Sequence, residues 1–209
     1  MKTVVIIPAY NEERTIGDVI GVVGQAPFID EIIVVSDGSS DRTADISQDC
    51  GARVIALNEN LGKGGAMMVG VNSTDAEVVL FLDADLINLR PWHVVDLLLP
   101  VLDGSAEMTV GIFEQGRLAT DLAQFFAPFL SGQRAVKRDL FTQLSNLELS
   151  RFGVEVALTR FAKTAGISVV EVELRDMSHV MKEEKLGVVK GILARLKMYW
   201  EIAKCVSKG

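Results

Sequence analysis

The chain has 209 residues, 49% apolar and 23% charged, which suits one globular domain with a sizeable core and room for a short appendage. Its net charge of −7 argues against a nucleic-acid partner, and any anionic ligand must be met locally, by backbone N–H groups, a lysine or a metal ion. The two cysteines, Cys50 and Cys205, stand in no metal-ligand spacing and read as free thiols of a reducing cytosol.

The opening segment reads as a strand rather than a signal peptide: its apolar run, Val4 to Ile7, is short and a turn follows at once. A short, continuously apolar run is the mark of a buried parallel strand. Asn11 then opens a helical stretch to about Gly24, and Ile32 to Val35 is a second strand. Asp41 can cap a helix through Cys50. Arg53 to Leu57 is a third strand, Lys63 to Asn72 a helix, and Val78 to Leu82 a fourth strand. Four strands alternating with three helices predict an open, mostly parallel α/β sheet. The second half is less regular. Trp92 to Leu102 predicts a helix, Glu107 to Ile112 a strand, Val154 to Ala165 a helix, Ser168 to Leu174 a strand and Glu183 to Val206 a long final helix. Gly116 to Gln133 carries no clear period, and no apolar run approaches the length of a membrane span.

Ligands of such sheets bind beyond the carboxyl ends of the strands. That rule selects Pro8 to Glu12, Ser36 to Asp41, Asn58 to Gly65 and Asp83 to Asp85. Asp83 and Asp85 are two apart on extended backbone and point the same way. They can share a divalent cation, or divide between a cation and a ribose hydroxyl; Mg2+ and Mn2+ prefer such oxygen donors. An Asp-rich turn alone is commonplace, and its place after the fourth strand is what gives it weight. Asn60 to Ala66 is a glycine-rich turn entering a helix, where backbone can approach a phosphate and Lys63 adds a full charge. It lacks the GxxxxGK[ST] spacing of a P-loop, and a tight turn with a solvated lysine is the bland alternative. Asp37 can accept from a base or ribose; Tyr10 offers a stacking face, Glu12 an acceptor and Asn11 a cap.

Ile7-Pro8-Ala9-Tyr10-Asn11-Glu12, Ser36-Asp37-Gly38-Ser39-Ser40-Asp41, Asn60-Leu61-Gly62-Lys63-Gly64 and Asp83-Ala84-Asp85 together resemble, in order and spacing, the family-2 glycosyltransferases and their GT-A relatives over about the first 90 residues. The resemblance implies a Rossmann-like GT-A fold, α/β with helices on both faces of the sheet, and a nucleotide-diphosphate sugar donor. It implies that Pro8, Ala9, Tyr10, Glu12 and Asp37 hold the nucleoside, with Gly62 and Lys63 at the diphosphate. It places Asp83 and Ala84 toward the ribose and Asp85 on Mg2+ or Mn2+. Ser36 departs from the pattern, since the family usually has an acid there.

Downstream, Ser131 to Arg138 and Phe152 to Glu155 resemble acceptor-side segments of two sub-groups, the polyprenyl-phosphate glycosyltransferases and the glucosyl-3-phosphoglycerate synthase type. This implies Gln133, Arg134, Lys137 and Arg138 for a phosphate-bearing acceptor, Glu155 as a catalytic residue beside Asp85 and Lys63, and His179 as a late metal ligand. No Glu-Asp dipeptide occurs, so the base that inverting members aim at a sugar hydroxyl is missing. A phosphate acceptor, already ionised, needs no base, which favours polyprenyl phosphate; a retaining reaction needs none either, which keeps 3-phosphoglycerate open. In the last segment Leu186, Val189, Leu193, Leu196, Trp200 and Ala203 form one apolar stripe, with Lys190, Lys197 and Lys204 beside it. Such a helix suits an anionic membrane surface, or equally a homodimer partner or its own domain. The expectation is a GT-A domain over 1–180 with a basic helix over 181–209, cytoplasmic or peripheral at the inner membrane face. Rival classes are a nucleotidyltransferase, whose glycine-rich loop would follow strand one directly, and a non-catalytic nucleotide-sugar-binding domain.

Overall fold

A computed structural model describes residues 1–113, 131–143 and 154–179. In chain order the elements are β1 (Thr3–Ala9), α1 (Ile16–Val23), β2 (Glu31–Ser36), α2 (Thr43–Asp49), β3 (Arg53–Ala56), α3 (Gly62–Asn72), β4 (Val78–Phe81), β5 (Leu86–Ile87), α4 (Pro91–Leu102), β6 (Met108–Phe113), β7 (Arg134–Lys137), α5 (Arg138–Thr142), α6 (Val154–Ala165), β8 (Val169–Leu174) and β9 (Ser178–His179). Seven strands form one sheet in the order β3-β2-β1-β4-β7-β6-β8, and β5 pairs with β9 in a separate ribbon. The expected fold class is the observed one.

The continuously apolar strands are apolar because both sheet faces are covered. In β1, Val5 and Ile7 pack with Ile16, Val19, Ile20 and Val23 of α1 and with Val94, Leu97, Leu98 and Val101 of α4. The alternate residues Val4 and Ile6 pack with Ala66, Met67 and Val71 of α3 and with Val154, Ala157, Leu158 and Ala162 of α6. A strand between two helical layers has no polar side to show, so the period of two vanishes from its sequence.

Two differences from expectation bear on the site. Helix α1 starts at Ile16 rather than Asn11, because Asn11 sits in the left-handed region at φ 55° and its amide group binds the neighbouring loop instead. Strand β7 lies where the sequence suggested only a basic cluster. It runs antiparallel to β4, pairing Phe81 with Arg134 and Val78 with Lys137. Residues just before β7 therefore lie at the carboxyl end of β4, and residues after it lie at the opposite edge. Among the described residues no helix is long and apolar enough to cross a membrane, and the final helix expected over 183–206 lies outside them.

His93 locks the start of α4. Its Nδ1 accepts from the Arg90 backbone N–H at 3.2 Å, and its Nε2 stands 3.0 Å from the Arg175 carbonyl oxygen, which can only accept. These partners require the neutral ring with the proton on Nε2. Burial holds His93 below the ordinary 6.5; the Arg175 carbonyl and Asp96 oppose the shift without reversing it. The unfolded chain then binds the extra proton first, so the stability contributed by neutral His93 is complete above pH 6.5 and is lost as pH falls through and below it. Urea midpoints compared at pH 7.5 and 5.5 should fall more for the wild type than for His93→Gln. Equal falls would assign the pH dependence to other groups.

Candidate active site

The loops after β1 and β2 are stitched into one wall. The Asp37 N–H donates to the Ala9 carbonyl at 2.8 Å, and the Ser40 N–H to Asn11 Oδ1 at 2.9 Å. Glu12 N–H donates to Thr43 Oγ1 at 2.8 Å, and Glu13 N–H to Asp41 Oδ2 at 3.1 Å. Asp41 also accepts from the Thr43 N–H, at the first turn of α2. Tyr10 is half exposed above this wall. Asp37 is buried, and its Oδ1 accepts the Leu61 N–H at 2.7 Å while its carbonyl accepts from Asn60 Nδ2. It thereby fixes the entry to the glycine-rich turn. Gly38 is required beside it: its φ is +69°, and a Cβ there would lie 2.8 Å from the Asn60 backbone N.

At the end of β4 the charges converge. Lys63 Nζ, on the first turn of α3, lies 2.6 Å from Asp83 Oδ1 and 2.6 Å from Glu155 Oε1 on α6. Burial opposes the lysine charge, but the two flanking carboxylates outweigh it and raise its pKa well above the ordinary lysine value. Lys63 is therefore a fixed cation at neutral pH and no general base. Gln133 Nε2 donates to Asp83 Oδ2 at 2.8 Å, so both oxygens of Asp83 are held. Gly132 closes the gap: a Cβ on it would lie 2.6 and 2.7 Å from the Asp83 oxygens and would also strike Lys63 Nζ. Backbone alone fits against the ion pair.

Asp85 follows Asp83 at the same sheet edge, and β5 begins at once. The ribbon register sets Leu86 opposite His179 and Ile87 opposite Ser178, which brings the backbone of His179 next to the residue after Asp85. The His179 side chain lies outside the described residues, and among those described no group of three or more His, Cys, Asp or Glu forms a ready-made metal cluster. The donor chemistry nevertheless fits Mg2+ or Mn2+. Asp83 and Glu155 set two carboxylates against the Lys63 ammonium, Asp85 follows two residues after Asp83, and all three offer hard oxygen donors.

The acceptor-side expectations are corrected in part. Gln133 is at the site, but its amide is engaged by Asp83. Arg134 is only 1% exposed: its Nε donates to the Ser131 carbonyl at 2.9 Å and its Nη1 to Thr159 Oγ1 at 3.0 Å. Burial pulls its guanidinium down to about 10, opposed by the charge of Glu155, and it remains a cation inside the fold rather than a surface receptor. Lys137 pairs with Val78 and the Arg138 N–H donates to the Glu77 carbonyl, so both sit at the amino-terminal edge of β4, away from Asp83. The antiparallel run of β7 is what sets them at that edge, apart from Gln133. Pro8, Ala9, Tyr10, Glu12, Asp37, Gly62, Lys63, Asp83, Ala84, Asp85 and Glu155 all lie on the segments that meet at the carboxyl edge. Ser131 and Gly132, within the segment singled out as acceptor-side but not named as site residues, and Thr159, a lone hydroxyl with no motif around it, belong to the site's framework.

A family model described as "Glycosyl transferase family 2" matches residues 4–135. The glucosyl-3-phosphoglycerate synthase of Mycobacterium tuberculosis is 31% identical over 192 residues, 74% of this chain, and the chain spans 58% of that relative's length. A crystal structure of the enzyme from that organism in complex with Mn2+, UDP and glucosyl-3-phosphoglycerate superposes with a TM-score of 0.73 at 28% identity, covering 93% of this chain and 79% of that one. The undecaprenyl-phosphate 4-deoxy-4-formamido-L-arabinose transferase of Edwardsiella ictaluri is 36% identical over 123 residues, 54% of this chain and 37% of its own length.

The close approach at Gly132 gives a direct test. Gly132→Ala should destabilise the fold by about 1–3 kcal/mol, the cost of overpacking a filled site, measured by urea unfolding. A change within about 0.5 kcal/mol, as for an ordinary surface substitution, would show that the turn yields and that the ion pair is not confined by it.

Proposed function

The chain belongs to glycosyl transferase family 2, and we propose that it moves a sugar from a nucleotide-diphosphate sugar to a small phosphate-bearing acceptor of the phosphoglycerate class, assisted by Mg2+ or Mn2+. The observation that carries this reading is the Asp83–Lys63–Glu155 cluster against Gly132, with Asp85 beside it at the carboxyl edge of β4. In this reading the nucleoside lies along the wall of Pro8 to Glu12 and Asp37, where the Asp37 carboxylate retains acceptor capacity beyond its bond to Leu61. Asp85, with His179, would hold the ion, which when bound neutralises the departing nucleoside diphosphate. Lys63 supplies a second, permanent positive charge at the same place. Glu155, facing Lys63 from α6, accepts from a hydroxyl of the sugar and fixes its orientation.

The acceptor class is favoured by where the likeness extends. By sequence, the glucosyl-3-phosphoglycerate synthase of Mycobacterium tuberculosis is matched over 74% of this chain, whereas the undecaprenyl-phosphate transferase is matched over 54%. A second reading keeps polyprenyl phosphate, with segment 181–209 as a peripheral anchor on an anionic cytoplasmic membrane face; the apolar stripe and lysine row of that segment support it. The division into a catalytic unit over 1–180 and an appended helix belongs to the same proposal.

Three measurements test the proposal. With UDP-glucose, Mn2+ and 3-phosphoglycerate, product should form without lipid. Product only with polyprenyl phosphate, together with salt-sensitive pelleting on anionic vesicles, would establish the second reading instead. Asp85→Ala, or excess chelator on the wild type, should abolish transfer, and full activity in EDTA would refute metal dependence. Lys63→Ala should raise the donor KM or lower kcat at a cost of about 1.5–3 kcal/mol, the value of a hydrogen bond to a charged group. Unchanged donor kinetics would reduce Lys63 to a structural partner of Asp83 and Glu155.

A further inference from the structure

The metal-proximal ribbon is short. β5 and β9 are two residues each, and only Leu86–His179 and Ile87–Ser178 are in register. Two pairs do not hold an isolated ribbon in water, so the positions of Asp85 and of the His179 backbone must be fixed from outside. The chain enters β9 through a turn in which Asp176 has a left-handed φ of 58°, and it leaves β5 through Asn88 at φ 59°. Both turns are backbone kinks with no strand partner of their own.

His93 connects them. It is 2% exposed, and each ring nitrogen is engaged by backbone: Nδ1 by the Arg90 N–H, two residues after Asn88, and Nε2 by the Arg175 carbonyl, one residue before Asp176. One rigid ring thus spans the segment leaving the ribbon and the segment entering it, with His93 and Arg175 82 positions apart in sequence. Around it Leu86, Leu89, Val94, Leu174 and Met177 share one apolar cluster, which supplies burial but no direction. The imidazole supplies the direction.

We infer that His93 is a positioning residue for the metal site: through the Nε2 bond to Arg175 it sets β9 against β5, and so sets His179 against Asp85. It touches no reacting group. The inference rests on the reading of Asp85 and His179 as ion ligands. Outer-shell partners of metal ligands typically govern about 10–100-fold in metal affinity, and His93 acts one step further back, through backbone.

Two variants separate its bonds. Asn at this position keeps an acceptor near Nδ1 for the Arg90 N–H and loses the reach to Arg175; Gln keeps a donor near Nε2 and loses the cap. Mn2+ binding by the full chain is read from the EPR signal of free Mn2+ in the presence of UDP, well below the melting temperature of every variant. Hydrogen exchange is followed over 86–89 and 176–179. The wild type should bind Mn2+ and Asp85→Asn should lose it. His93→Asn should weaken binding about tenfold and speed exchange in both segments, while His93→Gln stays close to the wild type in both readouts. If Asp85→Asn loses Mn2+ but His93→Asn binds like the wild type, the positioning role is overturned and the metal reading stands. If Asn and Gln weaken binding equally, in step with lost melting temperature, His93 is only a stabilising residue and the inference is likewise overturned. If the wild type binds no Mn2+, or Asp85→Asn binds it unchanged, the metal reading falls and takes the inference with it.

Discussion

A lysine ammonium held between two carboxylates, with a glycine backbone packed against it, is the contact on which the rest of this site depends. Lys63, Asp83 and Glu155 come from three elements, α3, the end of β4 and α6, and Gly132 precedes a fourth, β7. None of the four could shift alone. Moving α6 outward would leave Glu155 without its cation in a partly buried place, and moving the Gly132 turn inward would collide with Asp83. Unpaired charges in such positions cost far more than the pair itself gains. The cluster therefore acts as a geometric pin between the two halves of the sheet.

The pin needs a strand of the right polarity. A fifth parallel strand beside β4 would have carried its amino-terminal residues to the far edge. Because β7 is antiparallel, Ser131, Gly132 and Gln133 arrive at the edge where Asp83 and Asp85 already stand, and Lys137 and Arg138 depart from it. One reversal of direction delivers a backbone that fits beneath a lysine and an amide that holds the second oxygen of Asp83. The same reversal carries Lys137 and Arg138 to the opposite edge of β4, away from Asp83.

The first half of this fold was legible because its physics is local. Val4 to Ile7 and Val78 to Leu82 announce buried strands, and the residues that follow each of them fall where open sheets place ligands. The order of four motifs then pointed to the sheet edge where Lys63, Asp83 and Asp85 stand. The second half was less legible because its signals are tertiary. Arg134-Ala135-Val136-Lys137 is four residues long and charged at both ends, and nothing in it says that Arg134 is buried. Asn11 looked like a helix cap, and only the neighbouring loop, through Ser39 and Ser40, makes it a left-handed turn. His93 sits on the apolar face of a helix, where sequence gives no reason to look for a ligand-orienting role.

The burial of Arg134 then has a physical sense. Its guanidinium bonds the Ser131 carbonyl on one side and Thr159 Oγ1 on the other, and Thr159 in turn donates to the Glu155 carbonyl one turn earlier on α6. The arginine thus ties the turn that carries Gly132 to the helix that carries Glu155, from behind the pair they enclose. Glu155 has Lys63 in front and the field of Arg134 at its back. A hydrophobic residue could fill the same volume, but it would leave Ser131 and Thr159 without their partner and Glu155 with one cation rather than two. Burying a charge to orient a second charge is costly in stability, and the cost is met where both sides of the gap around Lys63 must hold a fixed separation.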